Sequence, residues 1–594
     1  MDLLDAIRSI DKSHEDDVLN RLYTVWGEGL DKDNVLPEYP RPQMVRKSFI
    51  NLNGYWDYAF TSSQSDIPLK MDGKILVPFS PESMLSGVER TLMPDELLWY
   101  KKILPPLDKP SGDSRLILHF GAVDQEATIY LNGQKIAYHS GGYLPFSVDI
   151  TEYIYYEENE LVVRVVDYTD SSHQSRGKQK LLRGGMYYTA QSGIWQTVWM
   201  EWVPCVYIKD LKISPSDNLE YLDLTVYVSK KGEPVTVTVL DDDSMINTQT
   251  RASDSDAINM KLTIADAILW SPEDPHLYDL VISCGDDKIH SYFAMRSFTI
   301  EKDDKGIPRF CLNHKPYFLN GILDQGYWPD GLYTAPADEA FIFDIEEMKR
   351  LGFNMLRKHA KIEAARWYYH CDRLGMIVWQ DMVSGGTTYA KPVVSYLPTL
   401  FPKLFGKLHD GPGHYHIFSR DSVEGRMQWT EEMQDTIKTL INVPCIATWV
   451  LFNEGWGQFD ANKATKLARE ADPSRPIDQA SGWHDQHGGD YLSHHNYFRK
   501  LKAERDQYDR AFVYSEYGGF AYHVDGHSSV DRVYGYKRYD TLEEFNTAYK
   551  DLMEKTFMPL EEKGLSGGVY TQVCDVEEEV NGLMTYDRKV CKIK

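Results

Sequence analysis

The chain has 594 residues, 42% of them hydrophobic, with 64 Lys and Arg against 89 Asp and Glu and a net charge of −25. At about 100–200 residues per domain it holds several packed domains, and its acidity excludes phosphate backbones and anionic lipid surfaces as natural partners, so neither nucleic acid nor membrane is expected. No apolar run approaches the ~20 residues that span a bilayer, and seven scattered cysteines without a CxxC pair fit free thiols better than a disulfide framework.

Residues 1–43 read as a polar, partly helical lead-in closing in the Pro-rich stretch Pro37–Pro42. Its opening, MDLLDAIRSIDKSHEDD, carries acids where a secretory signal needs an apolar core, which with the free thiols points to the cytoplasm. From 44 to 205 the pattern becomes short alternating runs, among them SRLILHFGAV, EATIYLNGQKIAYH and WQTVWMEWV. The Asn132–Gly133 pair between two β-rich runs predicts a hairpin, and the spacing as a whole predicts an all-β sandwich. Residues 206–302 continue in strands (YLDLTVYVS, EPVTVTVLDD, LYDLVISCG) over a length that suits an immunoglobulin-like sandwich.

From 303 to 594 the rhythm turns to strand–helix. Strands are predicted at 317–322, 354–357, 376–380, 447–452, 477–480, 491–495, 512–515 and 568–571, with helices at 338–352, 362–375, 429–442 and 461–472. Eight strands with crossover helices predict a (β/α)8 barrel, and the aperiodic stretch 382–428 is a long loop after the third strand, on the active-site end.

Two of these strands end in a glutamate with glycine one or two places on: IATWVLFNEGWG, ending at Asn453–Glu454, and AFVYSEYGGF, ending at Glu516. Catalytic groups of such barrels sit at the C-terminal strand ends. Either glutamate alone could equally cap a following helix. Together, across one barrel, they make a carboxylate pair able to work on a glycosidic bond. Retention needs them ~5–5.5 Å apart and inversion ~6.5–9.5 Å, which spacing along the chain does not measure. Aromatic residues, 13% of the chain, suit the flat faces of sugars and equally fill cores.

Several segments in order resemble glycoside hydrolase family 2, the family of β-galactosidases, β-glucuronidases and β-mannosidases: SGIWQTVWMEWV (192–203), ILWSPEDPHLYDL (268–280), FAMRSFTI (293–300), NMLRKH (354–359), CDRLGMIVWQDM (371–382), Asn453–Glu454 and Glu516. The resemblance covers 44–594. It implies a galactose-binding-like jelly-roll sandwich (44–205), an immunoglobulin-like sandwich (206–302) and a catalytic barrel (303–594), working as a retaining exo-glycosidase on a terminal sugar of a glycoside or oligosaccharide. Glu454 corresponds to the acid/base and Glu516 to the nucleophile. Asn453 is expected at the sugar 2-hydroxyl, Arg357 on the nucleophile, and Tyr497 hydrogen-bonded to it. His494, His495 and Trp483 are substrate-binding candidates, and Trp379 is either a stacking platform or core. Relatives commonly form dimers or tetramers, so a homo-oligomer is expected.

The sequence departs from the family at telling places. Asp324–Gln325 stand where an Arg–His pair is usual, the histidine of the second strand comes one place early at His359, Gln572 replaces a common Trp, and Asn581 lacks the Lys of a glucuronate clamp. Asp324 would bind a hydroxyl and repel a uronate, or else structure its own loop. A β-D-galactosidase is the first expectation; β-mannosidase, β-glucuronidase or galacturonidase, α-L-arabinosidase, and a non-catalytic carbohydrate-binding protein are the alternatives. No cofactor is expected. His484, His487, His494 and His495 lack metal-ligand spacing, no nucleotide-binding glycine motif is present, and no GxSxG marks an esterase. Some relatives bind Mg or Na near the active site, a point the sequence leaves open.

Overall fold

The computed structural model describes residues 18–107, 112–155, 157–390, 392–401, 405–531, 533–534 and 537–594. Alternating apolar residues build the first sandwich from two antiparallel sheets. One is six-stranded, in the order Gly73–Val77, Gly54–Ser62, Glu96–Ile103, Glu160–Val166, Glu126–Leu131 and Gln134–Ser140; the other is four-stranded, Ile50–Asn51, Val198–Val203, Arg115–Phe120 and Phe146–Asp149. The Asn132–Gly133 turn joins Leu131 to Gln134 with both residues at positive φ (53° and 78°), the primed geometry that matches strand twist.

The second sandwich packs a three-stranded sheet (Ile208–Pro215, Tyr221–Val228, Ala257–Thr263) on a four-stranded one (Ser244–Arg251, Val235–Asp241, Tyr278–Cys284, Asp287–Phe293). Inward Val, Leu and Ile close its core, with Val235, Val237, Val239, Leu280 and Ile282 all fully buried. Trp270 fixes this domain to the next. Its indole is buried and donates to the Asp372 carbonyl at 2.8 Å, on the barrel helix Ala365–Leu374. Trp270→Ala is expected to cost about 3–5 kcal/mol by loss of that burial, read as a lower midpoint in urea unfolding.

The third unit is an eight-stranded parallel sheet: Leu319–Asp324, Met355–Lys358, Ile377–Asp381, Ile446–Asn453, Ile477–Ser481, Tyr491–Asn496, Ala511–Gly518 and Leu565–Thr571. Counted along the chain its order is 5-4-3-2-1-8-7-6, so its two ends are consecutive strands and the sheet curls toward closure. Side chains stitch the seam. Ser493 donates to Asp478 at 2.8 Å, and Ser481 Oγ lies 2.9 Å from His495 Nε2.

Two helices depart from the sequence reading. The one expected at 429–442 spans Val423–Leu440, because Ser422 caps it by accepting from Gly425 N, while its first turns leave Val423 and Met427 exposed and so carry no apolar stripe. An unpredicted helix covers Leu542–Leu552, capped by Thr541 and burying only Phe545. In the described part of the lead-in, the helical turn Val25–Glu28 is held to the barrel through Thr24, whose amide and hydroxyl both donate to Asp330 at 2.8 Å.

Candidate active site

Glu454 and Glu516 leave the C-terminal ends of the fourth and seventh strands, and a carboxylate oxygen of each lies within 4.8 Å of the other. Glu454 follows the last strand residue with φ +49°, a left-handed conformation that bends the chain sharply at the strand end. Gly455 continues the turn at φ +72°, where a Cβ would meet the His484 ring at 2.6 Å.

His495, from the sixth strand, stands between the two acids. Its Nδ1 is 2.8 Å from Glu454 Oε1, and its Nε2 is 3.5 Å from Glu516 Oε1. The ring is fully buried, and besides the two carboxylates it contacts Ser481. His494, one residue earlier, packs on Phe512 instead, as strand alternation requires. Arg357 is buried among acceptors: a two-pronged pair with Asp381 at 2.9 Å, Glu516 Oε1 at 3.2 Å and Asn453 Oδ1 at 2.9 Å. The Tyr497 hydroxyl hydrogen-bonds the other oxygen of Glu516.

These surroundings divide the proton affinities. Burial raises the Glu454 carboxyl above its ordinary range, with repulsion from Glu516 adding to it and His495 opposing. Burial acts on Glu516 in the same sense, but His495, Arg357 and the Tyr497 hydroxyl outweigh it and hold that carboxyl below its usual range. One acid is set to keep a proton and the other to lose it.

Both carboxylate oxygens of Asp324 are engaged within the protein. One oxygen pairs with Lys358 at 2.7 Å and the other accepts from Gly326 N at 2.8 Å, so it structures its own turn. The two lysines of RKHAK, Lys358 and Lys361, supply the charge that holds it there. Trp379 is core, against Tyr491. Trp483 lies edge-on to His495 with its indole N–H buried and unpartnered, and the Asn453 Nδ2 amide is likewise unpartnered.

Further residues complete the site. Asp381 anchors Arg357. His359 reaches within 3.8 Å of both Asp381 and Glu516 and packs on Trp456. The first sandwich adds a loop that spans the barrel mouth. Arg176 N donates to Ser384 O at 2.9 Å, Thr189 N to Glu577 at 2.9 Å, and Arg183 pairs with Glu578 at 3.3 Å. That loop carries Lys178, buried beside Tyr188 and Trp456 and paired with Glu579 at 3.5 Å, whose charge bears on both Glu454 and Glu516. His359 stands among the departures noted in the sequence; a strand-end pattern marks Asp381 in hindsight, and nothing periodic marks Lys178. A separate cleft of about 1080 Å³, where the sandwiches meet the barrel's outer helices, includes none of these residues.

Comparison with known proteins finds three family profiles in chain order: "Glycosyl hydrolases family 2, sugar binding domain" over 90–204, "Glycosyl hydrolases family 2" over 206–296 and "Glycosyl hydrolases family 2, TIM barrel domain" over 305–591. The chain is similar to a β-glucuronidase of Streptococcus agalactiae (24% identity; 74% of this chain and 73% of that one) and a β-galactosidase of Thermoanaerobacter pseudethanolicus (23%; 75% and 57%). The match spans 51% of a Formosa agariphila relative that is 26% identical. In fold it is similar to an uncultured Clostridium β-glucuronidase (TM-score 0.70, 18% identity, 92% and 96% covered) and an Eisenbergiella tayi β-galacturonidase (0.66, 16%, 93% and 96%).

Proposed function

Because the chain belongs to glycosyl hydrolase family 2 and is a glycoside hydrolase, we propose that it is a retaining exo-β-glycosidase acting by double displacement on a neutral terminal sugar, in the first place a β-D-galactoside. The observation that carries this reading is the carboxylate pair, within 4.8 Å at its nearest oxygens and split in proton affinity about His495. An inverting mechanism needs room for a water between the acids, ~6.5–9.5 Å.

Ionised Glu516 attacks the anomeric carbon while protonated Glu454 gives its proton to the glycosidic oxygen. A covalent glycosyl-enzyme forms and the aglycone leaves. Glu454, now a carboxylate, takes a proton from water, which releases the sugar with its configuration kept. The open Asn453 amide is available to the sugar 2-hydroxyl, where hydrogen bonds tighten in the transition state. The sandwich loop over the barrel mouth favours a pocket for one terminal residue over a through-groove.

The neutral sugar is supported by charge. At the mouth, Lys178 and Arg183 are already committed to Glu579 and Glu578, and Glu577 adds a further buried acid. A uronate there would meet acids rather than an open cation. The relatives named β-glucuronidase give the uronide reading its weight, so the test is a panel of p-nitrophenyl glycosides: β-galactoside, β-glucoside, β-mannoside, β-glucuronide, β-galacturonide and α-L-arabinoside. Fastest turnover of a uronide would refute the neutral-sugar reading. A β-anomeric first product by NMR supports retention, and an α-anomer rejects it.

Tyr497→Phe removes a hydrogen bond that favours ionised Glu516. The nucleophile's pKa then rises, and since it must be ionised, the acidic limb of kcat/KM should move to higher pH while the alkaline limb, set by Glu454, stays. A profile unmoved on the acidic side would count against Glu516 as the group behind that limb.

A further inference from the structure

Four buried side chains link the eighth strand's end to the second. Asn581 Oδ1 accepts from Gln572 Nε2 at 2.9 Å, Gln572 Oε1 accepts from Gln325 Nε2 at 2.8 Å, and Gln325 Oε1 lies 2.9 Å from His359 Nδ1. His359 and Gln325 are 3% and 4% exposed, Gln572 and Asn581 not at all. An amide has one accepting and one donating end, so a chain of three transmits a direction. Gln325 turns its carbonyl to the imidazole while its Nε2 donates to Gln572, and in this orientation the ring donates from Nδ1. His359 Nε2 is then a bare lone pair. It is buried, without a hydrogen-bond partner, and turned toward the carboxylates of Asp381 and Glu516 at 3.8 Å. Arg357 bridges those two carboxylates, so the lone pair does not confront uncompensated charge.

We propose that Gln325, held by Gln572 and Asn581, is a positioning residue that fixes His359 in its Nδ1–H tautomer, so that Nε2 accepts a hydrogen bond from a hydroxyl of the bound sugar. This rests on the glycosidase reading above. It accounts for three of the places where the sequence departs from its relatives, at Gln325, His359 and Gln572, as one device. It also defines a selectivity: the position facing His359 must carry a donor, which an ether, a fluorine or an ionised carboxylate does not. Besides Asp381 and Glu516, the groups facing the ring are Lys178 from the sandwich loop, Arg357 on its own strand, His495 from the sixth strand and the Asn453 amide from the fourth; the nearby cations and burial together keep the ring neutral.

Two measurements test it, using the p-nitrophenyl glycoside of the panel that native enzyme turns over fastest. In the first, native enzyme is given the monodeoxy and monodeoxyfluoro analogues of that substrate. At one position both should raise KM alike, by about fivefold or more, because neither H nor F donates. If at every position the fluoro analogue binds like the parent while the deoxy one does not, Nε2 donates and the proposal is wrong. In the second, Gln325→Glu places a carboxylate on Nδ1–H and favours the imidazolium, which cannot accept. Its kcat/KM should gain a limb that falls about tenfold toward pH 5 and recovers above pH 7, absent from the native profile. A profile that superimposes on the native one, or a loss equal at all pH values, overturns the relay. Absence of turnover of any aryl glycoside by the native enzyme is a separate outcome that overturns the glycosidase reading, and the relay with it.

Discussion

Glu516→Gln is expected to lower kcat by on the order of 10⁴–10⁶-fold for every aryl glycoside the native protein cleaves. The amide is nearly isosteric, its carbonyl can keep the Arg357 hydrogen bond and its N–H can donate to a turned Tyr497 hydroxyl, so the fold and ground-state binding should survive. What goes is the lone pair that forms the covalent intermediate. The loss should not depend on the leaving group, because the missing bond is to the sugar. In Glu516→Ala, added azide fits the vacated space and attacks from the nucleophile's side, so rescue should yield an α-glycosyl azide from a β-glycoside. A β-azide would mean that Glu516 is not the nucleophile. Loss of sugar binding along with turnover would instead make Glu516 a binding residue.

Glu454→Gln should behave differently, and the difference is the evidence. A general acid matters in proportion to how poor the leaving group is, so alkyl glycosides should lose roughly 10²–10⁴-fold. A dinitrophenyl glycoside, whose phenolate leaves unaided, should lose little in the first step. The second step still needs a base, so the covalent intermediate should accumulate, with a burst of phenol and a lowered KM. Azide needs no base, and here it should give the β-glycosyl azide. Equal losses for good and poor leaving groups would remove Glu454 from the acid/base role. The raised carboxyl of Glu454 and lowered one of Glu516 also predict a bell-shaped kcat/KM, broadened at both ends relative to two ordinary carboxyls.

The barrel was legible because most of its strands are short apolar runs and its helices carry periodic stripes, and all eight predicted strands lie on observed ones. Glu454 and Glu516 were legible because each stands at the end of such a strand with a glycine one or two places on. The start at Val423 escaped because the first turns of its helix leave Val423 and Met427 exposed; Leu542–Leu552 went unread although Leu542, Phe545, Tyr549 and Leu552 repeat at helical spacing against the barrel core. The second had a readable signal in Thr541-x-x-Glu544, a capping pattern. The two readings of Asp324 could not be separated in sequence because one of its partners, Lys358, lies one strand over, and partnership across strands has no period along the chain. The same limit hid the direction of the Gln325 relay, a property of contacts between the first, second and eighth strands.

The loop that brings Lys178 to the barrel mouth belongs to the first sandwich and is pinned there through Ser384, Glu577 and Glu578. The proposed catalytic carboxylates and one wall of the proposed pocket are thus inherited on different modules. Exchange of the sandwich between related chains should alter substrate preference while leaving the chemistry intact, and kinship traced through the barrel alone should be a poor guide to diet.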